Sequence, residues 1–235
     1  MSLKPKKVSD VKRQQAQLQE KMEKKQKKVF PELPRYTYIV SEGTKTEPYY
    51  IEGIAQKINE KYREFSTGKF IMVKGTGRNT KGLLEYARSN VEEEFPRARV
   101  VWLMYDKDDF PLDHFDNTQD SAEKRQDKRV YRAAWSNECI ELWFVLHFQD
   151  LTANVGREKY RELLDEHMKK YGGYEKNRKD IYEILCGRTA IAAGRAKRQY
   201  EAYGNVPLSR MCPATRVYEL VEELQRYLVE PEKGN

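Results

Sequence analysis

Two short apolar runs in this chain end in carboxylates. Tyr36-Thr37-Tyr38-Ile39-Val40 runs into Ser41-Glu42-Gly43-Thr44, and Val100-Val101-Trp102-Leu103-Met104-Tyr105 runs into Asp106-Lys107-Asp108-Asp109. Runs of this length read as strands, and the C-terminal ends of strands are where open α/β sheets place their chemistry. Glu42 at one end, with Asp106 and Asp108 at the other, would seat a divalent cation beside an acid or base. Asp106 and Asp108 alternate along an extended segment, so both can face one side. A hard ion such as Mg²⁺, or Mn²⁺ in its place, binds through one or two carboxylates. It keeps several waters and completes its shell with substrate phosphate. That is the chemistry of phosphodiester hydrolysis. The competing reading of the same residues is a pair of solvated acidic turns.

For these carboxylates to meet, the two strands must lie side by side. Residues 36–40 and 100–105 alternate with Phe70-Ile71-Met72-Val73 and Val130-Tyr131-Arg132-Ala133-Ala134-Trp135, and helical patterns stand between them. This alternation argues for an α/β fold with a mostly parallel sheet flanked by helices, followed by a helical C-terminal region. In a 2-1-3 strand order the first and third strands are neighbours, about 4.8 Å apart, and the switch point falls between them. Thr44-Lys45-Thr46-Glu47 fits a capping box for the first helix, with Thr44 as N-cap. Residues 107–128 read as a long polar loop. Ser136 or Asn137 reads as the cap of a helix carrying Cys139, Leu142, Trp143 and Leu146 on one face. Segments 157–171, 178–185, 189–203 and 214–229 read as helices.

Charge divides the chain differently. Residues 1–30 carry ten Lys/Arg against Asp10, Glu20 and Glu23, so the whole formal excess of +7 sits there. The remaining residues hold 34 basic and 34 acidic side chains. Residues 1–34 therefore read as a basic, flexible arm, which either holds phosphate backbone without reading sequence or only solubilises the chain. Residues 35–150 read as the catalytic core and 151–235 as a helical extension packed on it. No run of eighteen apolar residues suggests a membrane span. The basic N-terminus lacks the apolar region of a signal peptide. Cys139, Cys186 and Cys212 match no zinc spacing and read as free thiols, which makes the cytoplasm the expected compartment.

Gly75-Thr76-Gly77-Arg78-Asn79-Thr80-Lys81-Gly82 lacks the order of a triphosphate-binding loop. It lies on the same strand-end edge as the carboxylates, so its amides, with Arg78 and Lys81, are candidates for a nucleic-acid phosphate, against an ordinary flexible loop. Lys45 and Lys107 flank the acidic positions and join that group. Asp106-Lys107-Asp108-Asp109 lacks the Gly and Glu of a calcium loop. The cluster Arg188, Arg195, Lys197 and Arg198 reads as a solvated helix face, with phosphate contact as the alternative. His147 reads as a packed, hydrogen-bonded histidine. Trp102 and Trp143 read as core.

Ile39 through Tyr50 resembles the opening motif of the RloB family, written (I/V)xxEGxxTExxY. That family comprises small TOPRIM-type proteins of bacterial defence and abortive-infection loci. Asp106-Lys107-Asp108 is similar to the TOPRIM D-x-D. Residues 136–148, SNECIELWFVLHF, resemble the family block SNPxFELWLLLHF, and Cys212-Pro213-Ala214-Thr215 resembles its NPST segment. Glu138 stands where the block has Pro, and Cys212 where the segment has Asn. The resemblance spans about residues 35–229. It implies a TOPRIM-like fold and Mg²⁺-dependent cleavage of RNA or DNA, with Glu42 as general acid/base and Asp106 and Asp108 as metal ligands. Glu141 and His147, inside the family block, are carried over as supporting catalytic residues. The resemblance also implies an ATPase partner protein. Against the nuclease stand a non-catalytic subunit that binds nucleic acid or that ATPase and, ranked last, a phosphorylation-receiving domain, which would want its acidic pair after the first strand.

Overall fold

A computed structural model describes residues 32–107, 112–124 and 128–229. Most of the basic arm, and Asp108, lie outside the described residues. The sheet has the order β2-β1-β3-β4-β5, with β1 Thr37–Ser41, β2 Ile71–Gly75, β3 Val100–Asp106, β4 Val130–Asn137 and β5 Ala214–Thr215. The first four strands are parallel and β5 runs antiparallel to β4. The first and third strands are neighbours, as the 2-1-3 order requires, with Ser41 opposite Met104. The α/β, mostly parallel architecture read from the sequence is the one observed.

Strand alternation sends side chains to two cores. Ile39, Trp102, Met104 and Ala134 face one side, where α1 (Thr46–Lys61), α4 (Glu141–Val145), α5 (Gly156–His167), α6 (Ile181–Leu185), α7 (Thr189–Ala202) and α8 (Val217–Gln225) cover them. Tyr38, Val40, Leu103 and Tyr105 face the other, under α2 (Thr80–Glu94) and α3 (Leu112–Glu123). Both sheet faces are therefore dry, which is why β1 and β3 read as continuous apolar runs. Among the described residues no helix is long and apolar enough to cross a membrane. Trp102 and Trp143 are fully buried in the first core.

Three local expectations fail, each for a visible reason. The polar segment after β3 contains α3, whose inner face is Phe115, Thr118 and Ala122, all buried. The capping box does not form. Helix α1 starts at Thr46 without a side-chain cap, and the Glu47 carboxylate instead fills the space beside the Gly43 Cα. Ser136 and Asn137 cap no helix. They belong to β4, where Ser136 Oγ meets Thr215 Oγ1 at 3.0 Å and Asn137 Nδ2 donates to Ser209 O at 3.1 Å, and the next helix begins only at Glu141. Strand β5, within a segment that reads as helix, supplies the ladder partners, Thr215 opposite Ser136 and Ala214 opposite Asn137.

His147 belongs to the core. Its Nδ1 lies 2.9 Å from Trp143 O, its Nε2 lies 3.4 Å from the Tyr50 hydroxyl, and the Trp143 ring covers it edge-on. Burial pushes its pKa down to about 4, against partial support from the Trp143 and Phe144 backbone, so it is neutral when folded.

Two expected outcomes follow from this packing. The unfolded chain takes up the His147 proton near its ordinary pKa of about 6.5, while the folded chain resists until about pH 4. The stabilisation is thus present above the unfolded pKa and is lost as pH falls through this window. Its loss from pH 7 to pH 5 is about 2 kcal/mol. Urea melts at both pH values should show His147→Leu losing less stability on acidification than the wild type; equal losses would contradict a neutral core histidine. At Gly75, a Cβ would stand 2.7 Å from Gly43 O and 2.8 Å from Thr44 Cα, both backbone atoms. Gly75→Ala should therefore cost about 1–3 kcal/mol in the same melts.

Candidate active site

At the C-terminal edge of the sheet lies a cleft of about 480 Å³. Glu42 enters it from the turn after β1, and two backbone bonds hold that turn. Glu42 N donates to Met104 O at 2.8 Å, and Gly77 N donates to Glu42 O at 2.9 Å. The carboxylate is oriented by the buried Thr80 hydroxyl, which donates to Oε2 at 3.2 Å. Asp106 enters from the last residue of β3, and its Oδ2 accepts the Ile140 amide at 3.1 Å. Carboxylates 64 positions apart thus line one cleft because their strands are adjacent.

Glu141 and Glu47 line the same space and are both buried. Glu141 Oε1 accepts the Tyr174 hydroxyl at 3.2 Å and lies 3.7 Å from Arg161 Nε. The negative charge has a reporter in Cys139, whose thiol is pushed up first by burial, then by Glu141 and Asp106. Opposing these acids on the lining are Lys45, Arg157, Arg161 and Lys176. The cleft is an acidic floor with basic walls.

The expected site residues divide accordingly. Glu42, Asp106, Glu141 and Lys45 come together in the cleft, while His147 sits in the core and does not line it. Arg78 lies over the Tyr86 ring at 4.9 Å, outside the lining. Lys107 continues the β3–β4 ladder, its amide donating to Ser136 O at 2.9 Å, and Lys81 falls in the first turn of α2. The amides of Thr76, Gly77, Arg78 and Gly82 all donate within the chain, to Ser41 O, Glu42 O, Thr76 Oγ1 and Asn79 Oδ1. The basic cluster on α7 also binds its own chain: Arg195 Nη1 donates to Leu146 O at 2.8 Å, and Arg198 pairs with Asp150 at 3.0 Å.

Sequence reasoning missed Glu47, Arg157, Arg161 and Lys176. Arg157 and Arg161 stand four apart on a segment that reads as helix, so one face carrying two cations was a usable signal. Lys176 lies in an irregular turn, with no periodicity to mark it.

The donor set suits a hard, hydrated divalent ion. Glu42 and Asp106 could supply the one or two carboxylates Mg²⁺ takes, and the polar cleft has room for waters and a phosphate. Among the described residues no group of three or more His, Cys, Asp and Glu could hold a metal ion. A closed protein cage of the zinc type is therefore not what these residues form. Asp108, the expected second aspartate, lies outside the described residues.

Glu138 accepts the Arg157 amide at 3.2 Å. The departure from the family block thus fastens the start of α5. Cys212 lies outside the cleft lining, its Sγ 3.7 Å from Asn137 O.

A family model described as RloB-like protein matches residues 37–224. No curated protein and no solved structure gives a match. The matched stretch runs from the first residue of β1 almost to the end of α8 and contains every residue of the cleft lining, and the chain belongs to the RloB-like protein family.

Proposed function

We propose that this chain is a Mg²⁺-dependent nuclease of TOPRIM type that cuts phosphodiester bonds of RNA or DNA. Its setting would be bacterial antiviral defence, alongside an ATPase partner. The observation that carries the reading is the convergence of Glu42 and Asp106, from the ends of adjacent parallel strands, in one cleft with basic walls. The order of the acids, Glu after β1 and Asp after β3, supports the TOPRIM reading. The defence setting and the partner rest on the RloB-like family resemblance alone.

Glu42 and Asp106 would hold the ion, and Asp108 would join them as the second aspartate of D-x-D. When bound, the ion supplies neutralisation of charge on the scissile phosphate and a polarised water. Glu42, which lines the cleft, would take that water's proton. The Thr80 hydroxyl, donating to Oε2, keeps its carboxylate aimed. Asp106 is fixed by the Ile140 amide, so its orientation costs nothing further when substrate arrives. Glu141 acts from beneath, bonded to Tyr174 and set against Arg161, and positions the basic wall rather than the reacting atoms.

The test is cleavage of single- and double-stranded RNA and DNA in Mg²⁺ by wild type, Glu42→Gln and Asp106→Asn. Each substitution keeps the shape and one acceptor oxygen, so folding should hold. Each should lower kcat by about a hundredfold or more. Cleavage undiminished in both variants would remove these residues from the mechanism. Absence of cleavage by the wild type on all four substrates, with nucleic-acid binding intact, would favour a non-catalytic binding subunit.

A further inference from the structure

The cleft's basic wall comes from two places far apart in sequence, and one hydrogen bond joins them. Thr46 Oγ1, at the start of α1, donates to Asn177 Oδ1 at 3.0 Å. Lys45 precedes the first of these residues and Lys176 the second. Adjacent Cα atoms lie about 3.8 Å apart, so the bond brings the backbone of two lysines to the same rim. Both lysines line the cleft, both are exposed, and neither has an ion-pair partner among the described residues.

The turn that carries Lys176 is held in an uncommon conformation. Asn177 has a φ of +70°, the one described non-glycine residue in the left-handed region. Asn tolerates this better than most residues, and here its side chain is committed to Thr46. Beside this rim stands Arg161, 35% exposed, whose guanidinium bridges Glu158 at 2.8 Å and Glu141 at 3.7 Å. It is thereby held at the wall rather than swinging in solvent.

Two lysines brought together near an acidic floor repel each other unless an anion lies between them. The floor is where the ion and scissile phosphate would sit, so the next phosphate along a strand would fall at the rim. We propose that Lys45 and Lys176, latched by Thr46 and Asn177, form the seat for a backbone phosphate flanking the cleaved bond, with Arg161 as its inner wall. This deepens the phosphodiester reading and rests on it for the identity of the substrate. The ligand is the backbone itself, since ammonium groups on flexible stems engage phosphate without reading bases.

The probe is a fluorescein-labelled pentathymidylate, followed by fluorescence anisotropy with the full chain in EDTA across a salt series. The basic arm is present in every protein compared and cancels in the differences. Lys45→Gln/Lys176→Gln should weaken binding about tenfold, and the salt slope should fall by about 0.7 per lysine. Asn177→Gly keeps the left-handed turn but removes the latch. It should weaken binding severalfold at an unchanged thermal midpoint. In Mg²⁺, the same variants should raise KM more than they lower kcat. Wild type that fails to bind the probe overturns the seat, as does a double variant with unchanged affinity, salt slope and KM. Wild type that binds in EDTA yet never cuts in Mg²⁺ overturns the hydrolytic reading and leaves the seat standing.

Discussion

The bond from Glu42 N to Met104 O, 2.8 Å long, sets the geometry on which the cleft depends. It continues the β1–β3 ladder one residue past the last paired strand position. Without it the turn after β1 would be tethered only on the β2 side, through Thr76 and Gly77. With it, the first acidic residue is locked to the strand that ends in the second. Backbone hydrogen bonds are the right device for this, because they fix position and leave the side chains free to face the cleft. The close approach of Gly75 to Gly43 O and Thr44 Cα completes the clamp from the other side.

A second constraint works from the far wall. The short segment from the end of β4 through the first residue of α4 touches three separate parts of the cleft. Ile140 N holds Asp106, Glu138 holds the start of α5, and Glu141 faces Arg161 on that helix. Helix α5 is therefore tied to the carboxylate it opposes through one stretch of four residues. Residues of the C-terminal helical region are thus part of the cleft, and β5 from the same region is part of the sheet.

The parts of the fold that were legible in the sequence are those where periodicity and burial coincide. Strands β1 and β3 are buried on both faces, so their residues are mostly apolar, with the polar ones, Thr37, Ser41 and Asp106, at the strand ends. Helix α3 was hidden because a polar residue does part of the burying. Phe115 and Ala122 are seven apart, with Thr118 between them on the same face. Counting Thr118 as an inner residue recovers the stripe. The capping box misled because Thr44 and Glu47 have the right spacing, whereas the chain spends Glu47 against Gly43 and in the cleft. Glu42 and Asp106 were readable because strand ends leave a mark in hydropathy. Lys176 and Asn177 were not, since their place is set by a hydrogen bond across 131 positions.

The distribution of charge gives the site its direction. A site of carboxylates alone would repel a polyanion at range, and one of cations alone would hold it without cutting. Here Glu141 and Glu47 are buried and Glu42 and Asp106 half-buried, while Lys45 and Lys176 are exposed. On the proposed function, an approaching backbone would meet positive charge first and reach the acidic floor only after its own repulsion had been offset at the rim. The floor in turn keeps the Cys139 thiol protonated, through burial and then through Glu141 and Asp106. That removes a nucleophile from beside the cleft's carboxylates. Cation-first, acid-second layering of this kind follows from where the sequence ends its strands and where it turns between helices.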